Sequence, residues 1–133
     1  MAKVFVVEDD ALNLELVLDI LNEMGFTAHG AVDGEEAIKK SEKEFYDLII
    51  MDIMLPGMDG IETRRAIKKR PEYRYVPVIA LTALVMKGDK ERLLGAGFEC
   101  YISKPIDVHD FSKIIEKYAK VNMPRNPLLS IRS

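Results

Sequence analysis

The chain has 133 residues, a length typical of one domain, and its 48% hydrophobic and 31% charged residues indicate a folded globular protein rather than a disordered one. The net charge is -3, from 19 basic and 22 acidic residues, so no basic excess drives binding to nucleic acid or to an acidic membrane. A single cysteine, Cys100, excludes an internal disulfide or a cysteine-based zinc site and fits a reducing cytoplasm, where we expect the protein to act.

Short apolar stretches alternate with longer amphipathic ones along the chain. The first stretch turns acidic too early for a signal peptide, and no apolar run approaches the ~20 residues that span a bilayer. The stretches that predict strands covered on both faces are residues 4–7, 48–51, 78–81 and 100–102, with residues 27–30 as a weaker strand nearer an edge. Apolar residues at helical spacing predict helices over residues 14–21 and 111–118.

Several acidic residues stand where helices should begin. Asp33 with Glu36, and Asp59 with Glu62, have the spacing of a capping box, in which the first residue caps the helix and the second reaches back to it. Asp107 stands at the start of the last amphipathic segment and is a candidate cap for it. A helix is therefore predicted after the second, the third and the fifth strand.

Five repeats of strand and helix predict an α/β fold with a parallel sheet and helices on both faces. Five strands favour the flavodoxin-like (βα)5 three-layer sandwich, with a parallel five-stranded sheet of order 2-1-3-4-5. We predict one domain over residues 1–120. Residues 121–133 contain two prolines and no apolar period, and we interpret them as a C-terminal tail that is either disordered or docked on another surface.

One edge of this sheet should collect polar side chains, because the carboxyl ends of parallel strands lie together and ligands bind beyond them, at the switch between strands 1 and 3. The residues that follow the strands there are Glu8, Asp9, Asp10, Asp52, Thr82 and Lys104.

These residue types suit a phosphoryl group held beside a metal ion. Clustered carboxylates repel one another unless a cation intervenes, and Mg2+ takes one or two carboxylates together with phosphate oxygens. We expect Asp9 and Asp52 to be ligands, with a backbone carbonyl from the following loop. Thr82 and Lys104 would supply a hydroxyl donor and a positive charge. An aspartate is also a known covalent acceptor of phosphate, which makes Asp52 a candidate nucleophile.

Four segments in register resemble the response-regulator receiver domain of two-component signalling. They are "VFVVEDD", "LIIMDIMLPGMDG", "VPVIALTA" and "YISKP", and the resemblance covers residue 3 to about residue 119. The segment "MKGDKERLLGAG" and the short stretch beyond the domain are similar to stand-alone, DivK-like receivers.

The resemblance implies that Asp52 accepts phosphate from a histidine kinase or a histidine phosphotransfer protein. It implies that Glu8 and Asp9 form the family's acidic pair, with Asp9 the more direct Mg2+ ligand and Glu8 an indirect one. Asp10 lies one residue past that pair and is assigned no role at the site, and we expect it to cap the first helix. By position, Met54 would give its backbone carbonyl to the metal.

The resemblance also implies a switch. Thr82 and Tyr101 match the family's switch pair, and Lys104 matches the phosphate-binding lysine, with a cis Lys104-Pro105 bond. Phosphorylation would draw Thr82 toward the phosphoryl group and let Tyr101 turn inward. The face formed by helix 4, strand 5 and helix 5 would then change and control a downstream protein partner. Such a protein catalyses only its own phosphorylation and dephosphorylation, so we expect no other enzyme activity.

Two other functions share parts of this pattern. A Mg2+-dependent phosphohydrolase resembling the haloacid-dehalogenase family would carry a second aspartate two residues after the first, where this chain has Met54. A receiver-like interaction module acting without phosphorylation would not need the full set of Asp9, Asp52, Thr82 and Lys104. Taken singly, Asp9, Thr82 and Lys104 also have ordinary structural explanations, as a helix cap, a strand-end hydroxyl and a surface charge respectively.

Two apolar side chains predict a long phosphoryl lifetime. In the family, the positions two residues after the phosphoacceptor and two after the switch threonine influence hydrolysis. Here they are Met54 and Leu84, which cannot orient an attacking water by hydrogen bonding. We therefore expect slow self-dephosphorylation.

Overall fold

The computed structural model describes residues 2–83 and 87–122, and the side chains as far as residue 119. The strands are β1 (Lys3–Val7), β2 (Thr27–Ala31), β3 (Leu48–Asp52), β4 (Val78–Thr82) and β5 (Cys100–Ser103). The helices are α1 (Ala11–Glu23), α2 (Gly34–Lys43), α3 (Gly60–Lys68), α4 (Asp89–Gly95) and α5 (Val108–Asn122), with one turn of 3-10 helix at Pro71–Tyr73.

The five strands form one sheet of order β2-β1-β3-β4-β5, and each neighbouring pair is parallel. The predicted flavodoxin-like order is therefore confirmed. β3 lies at the centre and all five of its residues are buried, in keeping with its continuous apolar sequence. The weaker strand predicted over residues 27–30 is the edge strand β2.

Helices cover both faces of the sheet and divide the core in two. One apolar cluster lies under α2, α3 and α4, which contribute Ala37, Ile67 and Leu93. The other lies under α1 and α5, where Val17 and Phe111 are fully buried. The three layers follow from strands that are apolar on both faces, because each face needs a helical cover.

Most helices begin at an acidic residue whose side chain accepts hydrogen bonds from the first turn. Asp10 caps α1 through the backbone N–H groups of Leu12 and Asn13, at 2.9 and 3.1 Å. Asp33 and Asp59 each accept from the residue three positions on, both at 2.8 Å. At the start of α5, the carboxylate of Asp107 accepts from the N–H of Asp110 at 3.0 Å. The predicted caps are confirmed, and they fix where each helix begins.

The last helix runs two residues past the predicted domain boundary at residue 120. The division into a domain over 1–120 and a tail over 121–133 stays a prediction, and residues 123–133 and Leu84 lie outside the described part of the chain. Within the described ranges, no helix is long and apolar enough to cross a membrane.

Candidate functional site

Asp52 is the last residue of β3, and its position at the end of a central strand leaves it only 2% exposed. A buried carboxylate is costly unless it is paired or hydrogen-bonded. Here Oδ1 accepts a hydrogen bond from the N–H of Met54 at 3.0 Å, and Oδ2 accepts one from Nζ of Lys104, also at 3.0 Å. Both oxygens are thus engaged, one by the loop that follows β3 and the other by the loop that follows β5.

Lys104 is held in place by its own backbone. Its N–H donates to the carbonyl of Thr82 at 2.9 Å, continuing the pairing of β5 with β4 for one residue. The Lys104-Pro105 bond is cis, as the sequence resemblance implies. The side chain reaches inward between two carboxylates, since Nζ lies 2.6 Å from Oε1 of Glu8 and 3.0 Å from Oδ2 of Asp52.

Glu8 is the most enclosed acid of the site, with no exposed surface. Its Oε2 accepts a hydrogen bond from the N–H of Asp10 at 3.3 Å. Its Oε1 accepts no hydrogen bond of adequate angle but is close to the Lys104 ammonium, so the contact is an ion pair. Burial, with the neighbouring Asp52 carboxylate, raises the pKa of Glu8 to about 7, although Lys104 opposes the change.

The lysine is correspondingly kept charged. Burial alone would lower the pKa of Lys104, but the hydrogen bonds and negative charges of Glu8 and Asp52 outweigh burial and raise it. One ammonium therefore faces two carboxylates. Together with the adjoining Asp9, the carboxylates outnumber this ammonium even when Glu8 is protonated, which leaves electrostatic room for a further cation.

Asp9 supplies the third carboxylate and opens the cluster to solvent. Glu8, Asp9 and Asp52 can each offer one oxygen, and these atoms lie within 4.8 Å of one another. Asp9 is exposed whereas the other two acids are buried, so an ion would enter from its side. Three carboxylate oxygens with one exposed edge suit a hard cation such as Mg2+, which keeps several waters.

Thr82 and Tyr101 lie on neighbouring strands beside this cluster. Thr82 ends β4 and is fully buried, opposite Ser103, while Tyr101 is half-buried and pairs with Ala80, two residues before Thr82. Side chains two residues apart on a strand point to the same face. Tyr101 packs against the core cluster that contains Ala80, so Thr82 and Tyr101 face the same side of the sheet.

The loop after β3 is closed by Gly60, whose role at the site was not predicted. Its N–H donates to the carbonyl of Ile53 at 3.0 Å. A Cβ added at Gly60 would lie 2.3 Å from the backbone oxygen of Asp52 and 2.8 Å from Cα of Ile53. Only glycine allows the start of α3 to approach the phosphoacceptor candidate so closely. The sequence signal is the Asp59-Gly60 pair at the helix start, which by itself is typical of a turn.

The structure thus brings most of the predicted site residues to one edge of the sheet. Glu8, Asp9, Asp52 and Lys104 are in mutual reach, and Thr82 adjoins them through its carbonyl. The backbone N–H of Met54 also contacts Asp52, while its side chain is 63% exposed, and Asp10 serves α1 as a cap.

Comparison with known proteins gives consistent results. Residues 4–116 match the family model described as "Response regulator receiver domain". The polar-differentiation response regulators DivK of Brucella ovis and Brucella melitensis are each 43% identical over 115 residues, which cover 86% of this chain and 94% of the relative.

Solved structures share the fold. The chemotaxis protein CheY4 of Vibrio cholerae has a TM-score of 0.84 at 29% identity, covering 89% of this chain and 98% of that one. The receiver domain of a sensor histidine kinase from Pseudomonas aeruginosa has a TM-score of 0.81 at 33% identity, covering 90% and 98%. That receiver carries a magnesium ion coordinated in its active-site cleft.

Proposed function

The chain belongs to the response regulator receiver family, and from that premise we propose that it is a phosphorelay switch whose phosphoacceptor is Asp52. The carrying observation is a buried carboxylate held by one ammonium and one backbone N–H, with oxygens of two further acids close by. A purely structural aspartate would not need this surplus of negative charge, which costs stability.

In the proposed transfer, an oxygen of Asp52 attacks the phosphorus of a phosphohistidine. The O–P bond forms while the P–N bond breaks, and the departing histidine nitrogen retains the bond's electron pair and takes up a proton. Lys104 stays charged throughout and stabilises the phosphoryl oxygens. Its ion pair with Glu8 keeps the ammonium at the site when Asp52 gives up one oxygen to the phosphoryl group.

The metal site of the proposal consists of Asp9, Asp52 and the backbone carbonyl of Met54, with Glu8 acting indirectly. A bound Mg2+ would neutralise charge on the phosphoryl oxygens and on the carboxylates around it. The donor types support this assignment, since all of them are oxygens. Asp9, as the exposed member, would set how readily the ion exchanges with solvent.

The proposed switch uses the residues beside the phosphoryl group. Thr82 donates its hydroxyl to a phosphoryl oxygen, and Tyr101, which faces the same side of the sheet, turns into the space that Thr82 leaves. The face formed by α4, β5 and α5 then favours or disfavours a downstream protein partner. The effect is a shift between two populations, limited by how much better the phosphoryl group fits one of them.

A protein donor is supported by apolar side chains beside the site. Leu12 is 77% and Leu16 is 41% exposed, one turn apart on α1, and Val108 at the start of α5 is 52% exposed. α1 and α5 cover the same face of the sheet, and both begin at the edge where Asp52 lies. We propose that a histidine kinase or a phosphotransfer protein docks there, in the cytoplasm, where ATP supplies the phosphoryl group of such donors.

A phosphohydrolase has no support at this site. The position where that class carries a second aspartate holds the exposed side chain of Met54, which has no proton to give to a leaving group. The chain is a signalling receiver, and its proposed chemistry is confined to its own phosphorylation and dephosphorylation.

The proposal is tested by incubating the protein with Mg2+ and acetyl phosphate, and measuring the acid-stable, base-labile phosphoryl adduct by mass spectrometry. We expect one adduct in the wild type and none in Asp52→Asn. Asp59→Asn is the matched control, because it makes the same change at the far end of the loop that follows Asp52, at a helix cap where asparagine serves equally well. An adduct on Asp52→Asn would refute the assignment.

A further inference from the structure

Residues 64–75, at the end of α3 and in the loop that leads to β4, contain six basic residues and one acidic one, in a chain of net charge -3. The structure places the end of this segment near the N-terminal ends of β3 and β4, since the carbonyl of Pro77 accepts from the N–H of Ile49 at 3.1 Å. The segment therefore ends near the opposite end of the strands from Asp52, and its charge is not explained by the phosphoacceptor site.

Two of the six cations are used to hold the fold together. Arg70 donates to Oγ of Ser41 at 2.6 Å and pairs with Glu42 at 2.9 Å, which ties the loop to α2. The guanidinium of Arg64 lies 5.6 Å from the centre of the Phe98 ring. These side chains are committed to neighbours within the molecule.

A third cation fixes the loop that presents an aromatic side chain. Nζ of Lys68 donates to the carbonyl of Arg74 at 3.2 Å and also to that of Val76. These carbonyls flank Tyr75, whose side chain is 82% exposed. Two residues before Tyr75, the Tyr73 ring is buried, and its hydroxyl donates to backbone carbonyls at the end of α2 at 3.0 and 2.9 Å. Tyr75 is thus held outward on an anchored loop.

The remaining three cations, Arg65, Lys69 and Arg74, are all exposed. Across residues 2–83 and 87–119, none of them forms a salt bridge with an acidic residue. Arg65 and Lys69 are four residues apart and share one face of the helix end, where like charges repel. Their positive charges are therefore available to a ligand or partner outside the domain.

We propose that Arg65, Lys69, Arg74 and Tyr75 form a docking surface for an acidic segment of a partner protein. Unpaired cations at a rigid surface steer and hold an anionic partner, and an exposed tyrosine supplies contact area at little entropic cost. A short acidic segment fits better than nucleic acid, because a long polyanion would also meet the acidic remainder of this chain. The surface is independent of the phosphoacceptor proposal.

The test uses a fluorescein-labelled peptide of alternating glutamate and alanine, titrated with the full chain and followed by anisotropy at physiological ionic strength. We expect saturable binding, weakened about tenfold in Arg65→Gln/Lys69→Gln/Arg74→Gln, as three exposed ion pairs would give. Tyr75→Ser should weaken it severalfold. Amide shifts in a heteronuclear NMR spectrum should centre on residues 69–75.

A matched variant removes the same charge elsewhere: Lys87→Gln/Lys90→Gln/Lys113→Gln changes three exposed lysines on other elements and should bind like the wild type. No saturable binding, or an equal loss in this control, would overturn the proposal. Tighter binding of a single-stranded oligonucleotide of equal charge would overturn it in favour of nucleic acid. Self-association of the chain that disappears in Arg65→Gln/Lys69→Gln/Arg74→Gln would assign the docking surface to a second copy of the chain. That result would also overturn the proposal.

Discussion

The ammonium of Lys104 lies 3.0 Å from Oδ2 of Asp52, although 52 positions separate the two residues in the chain. Two parallel strands, β3 and β5, deliver them to the same edge of the sheet with β4 between them. The lysine also contacts the buried Glu8, so one cation serves two acids. Because the ammonium is shared, a substitution that neutralises any of these three residues changes the net charge of the whole site and not only one contact.

Removal of that cation should destabilise the protein. In Lys104→Met, the buried carboxylates of Glu8 and Asp52 lose their partner, and we expect the free energy of unfolding to fall by about 3 kcal/mol, the cost of breaking a buried ion pair. Urea denaturation without metal measures it. Lys90→Met, at an exposed position on α4, should change stability by less than about 0.5 kcal/mol. Equal losses in the two variants would contradict the prediction.

Stability should also depend on pH through Glu8. Its pKa is raised from 4.5 to about 7 in the folded protein, so the folded state binds more protons than the unfolded state between these values. The stabilisation from Glu8 is thus fully present below pH 4.5 and is lost as the pH rises through about 7. We measure it as the difference from Glu8→Gln, which stays neutral, and expect the two free energies of unfolding to diverge by up to about 3 kcal/mol across this window.

The comparison with Glu8→Gln removes the contributions that other groups make to the pH profile. Glu23→Gln, an exposed change at the end of α1, should follow the wild type at every pH. A difference between wild type and Glu8→Gln that stays constant across the window would show that Glu8 titrates alike in both states.

The sequence was sufficient for the fold and for the grouping of the site. Continuous apolar strands require covering helices on both sides, and parallel strands carry their C-terminal residues to one edge. Those two rules predict that Asp9, Asp52 and Lys104 lie together, whatever the details of packing. The helix caps at Asp33 and Asp59 can also be predicted from the sequence, because a cap and the backbone N–H that it binds lie within one turn of the chain.

What sequence reasoning missed depends on packing between distant segments. The family resemblance implies an indirect role for Glu8 at the metal, but nothing local in the sequence indicates that Glu8 is fully buried and paired with Lys104. The close approach of Gly60 to Asp52 is also invisible in a one-dimensional pattern, since it depends on how α3 meets the end of β3. The roles assigned to Thr82, Tyr101 and Met54 stay predictions.

The loop after β3 should be sensitive to a single methyl group. In Gly60→Ala, the new Cβ would lie 2.3 Å from the backbone oxygen of Asp52, so either the helix start or the strand end must move. We expect a loss of about 1–3 kcal/mol in stability, as for overpacking, and slower phosphorylation by acetyl phosphate because Asp52 is displaced. Gly95→Ala on α4 is the control: nothing lies within 4 Å of its added Cβ, and alanine favours a helix. Normal phosphorylation of Gly60→Ala would show that the loop adapts.

The lifetime of the phosphoryl group should depend on Met54. Its backbone N–H holds Asp52 at 3.0 Å, while its side chain is 63% exposed beside the site and cannot orient water. In Met54→Asn, an amide at this position can hydrogen-bond the attacking water, so we expect decay of the phosphoryl group to accelerate severalfold. Loss of the adduct with time after removal of the donor gives the rate, with Met54→Leu as the apolar control. Leu84→Glu offers a second polar group at the other position that the family uses. If neither polar variant decays faster than Met54→Leu, these side chains do not limit hydrolysis.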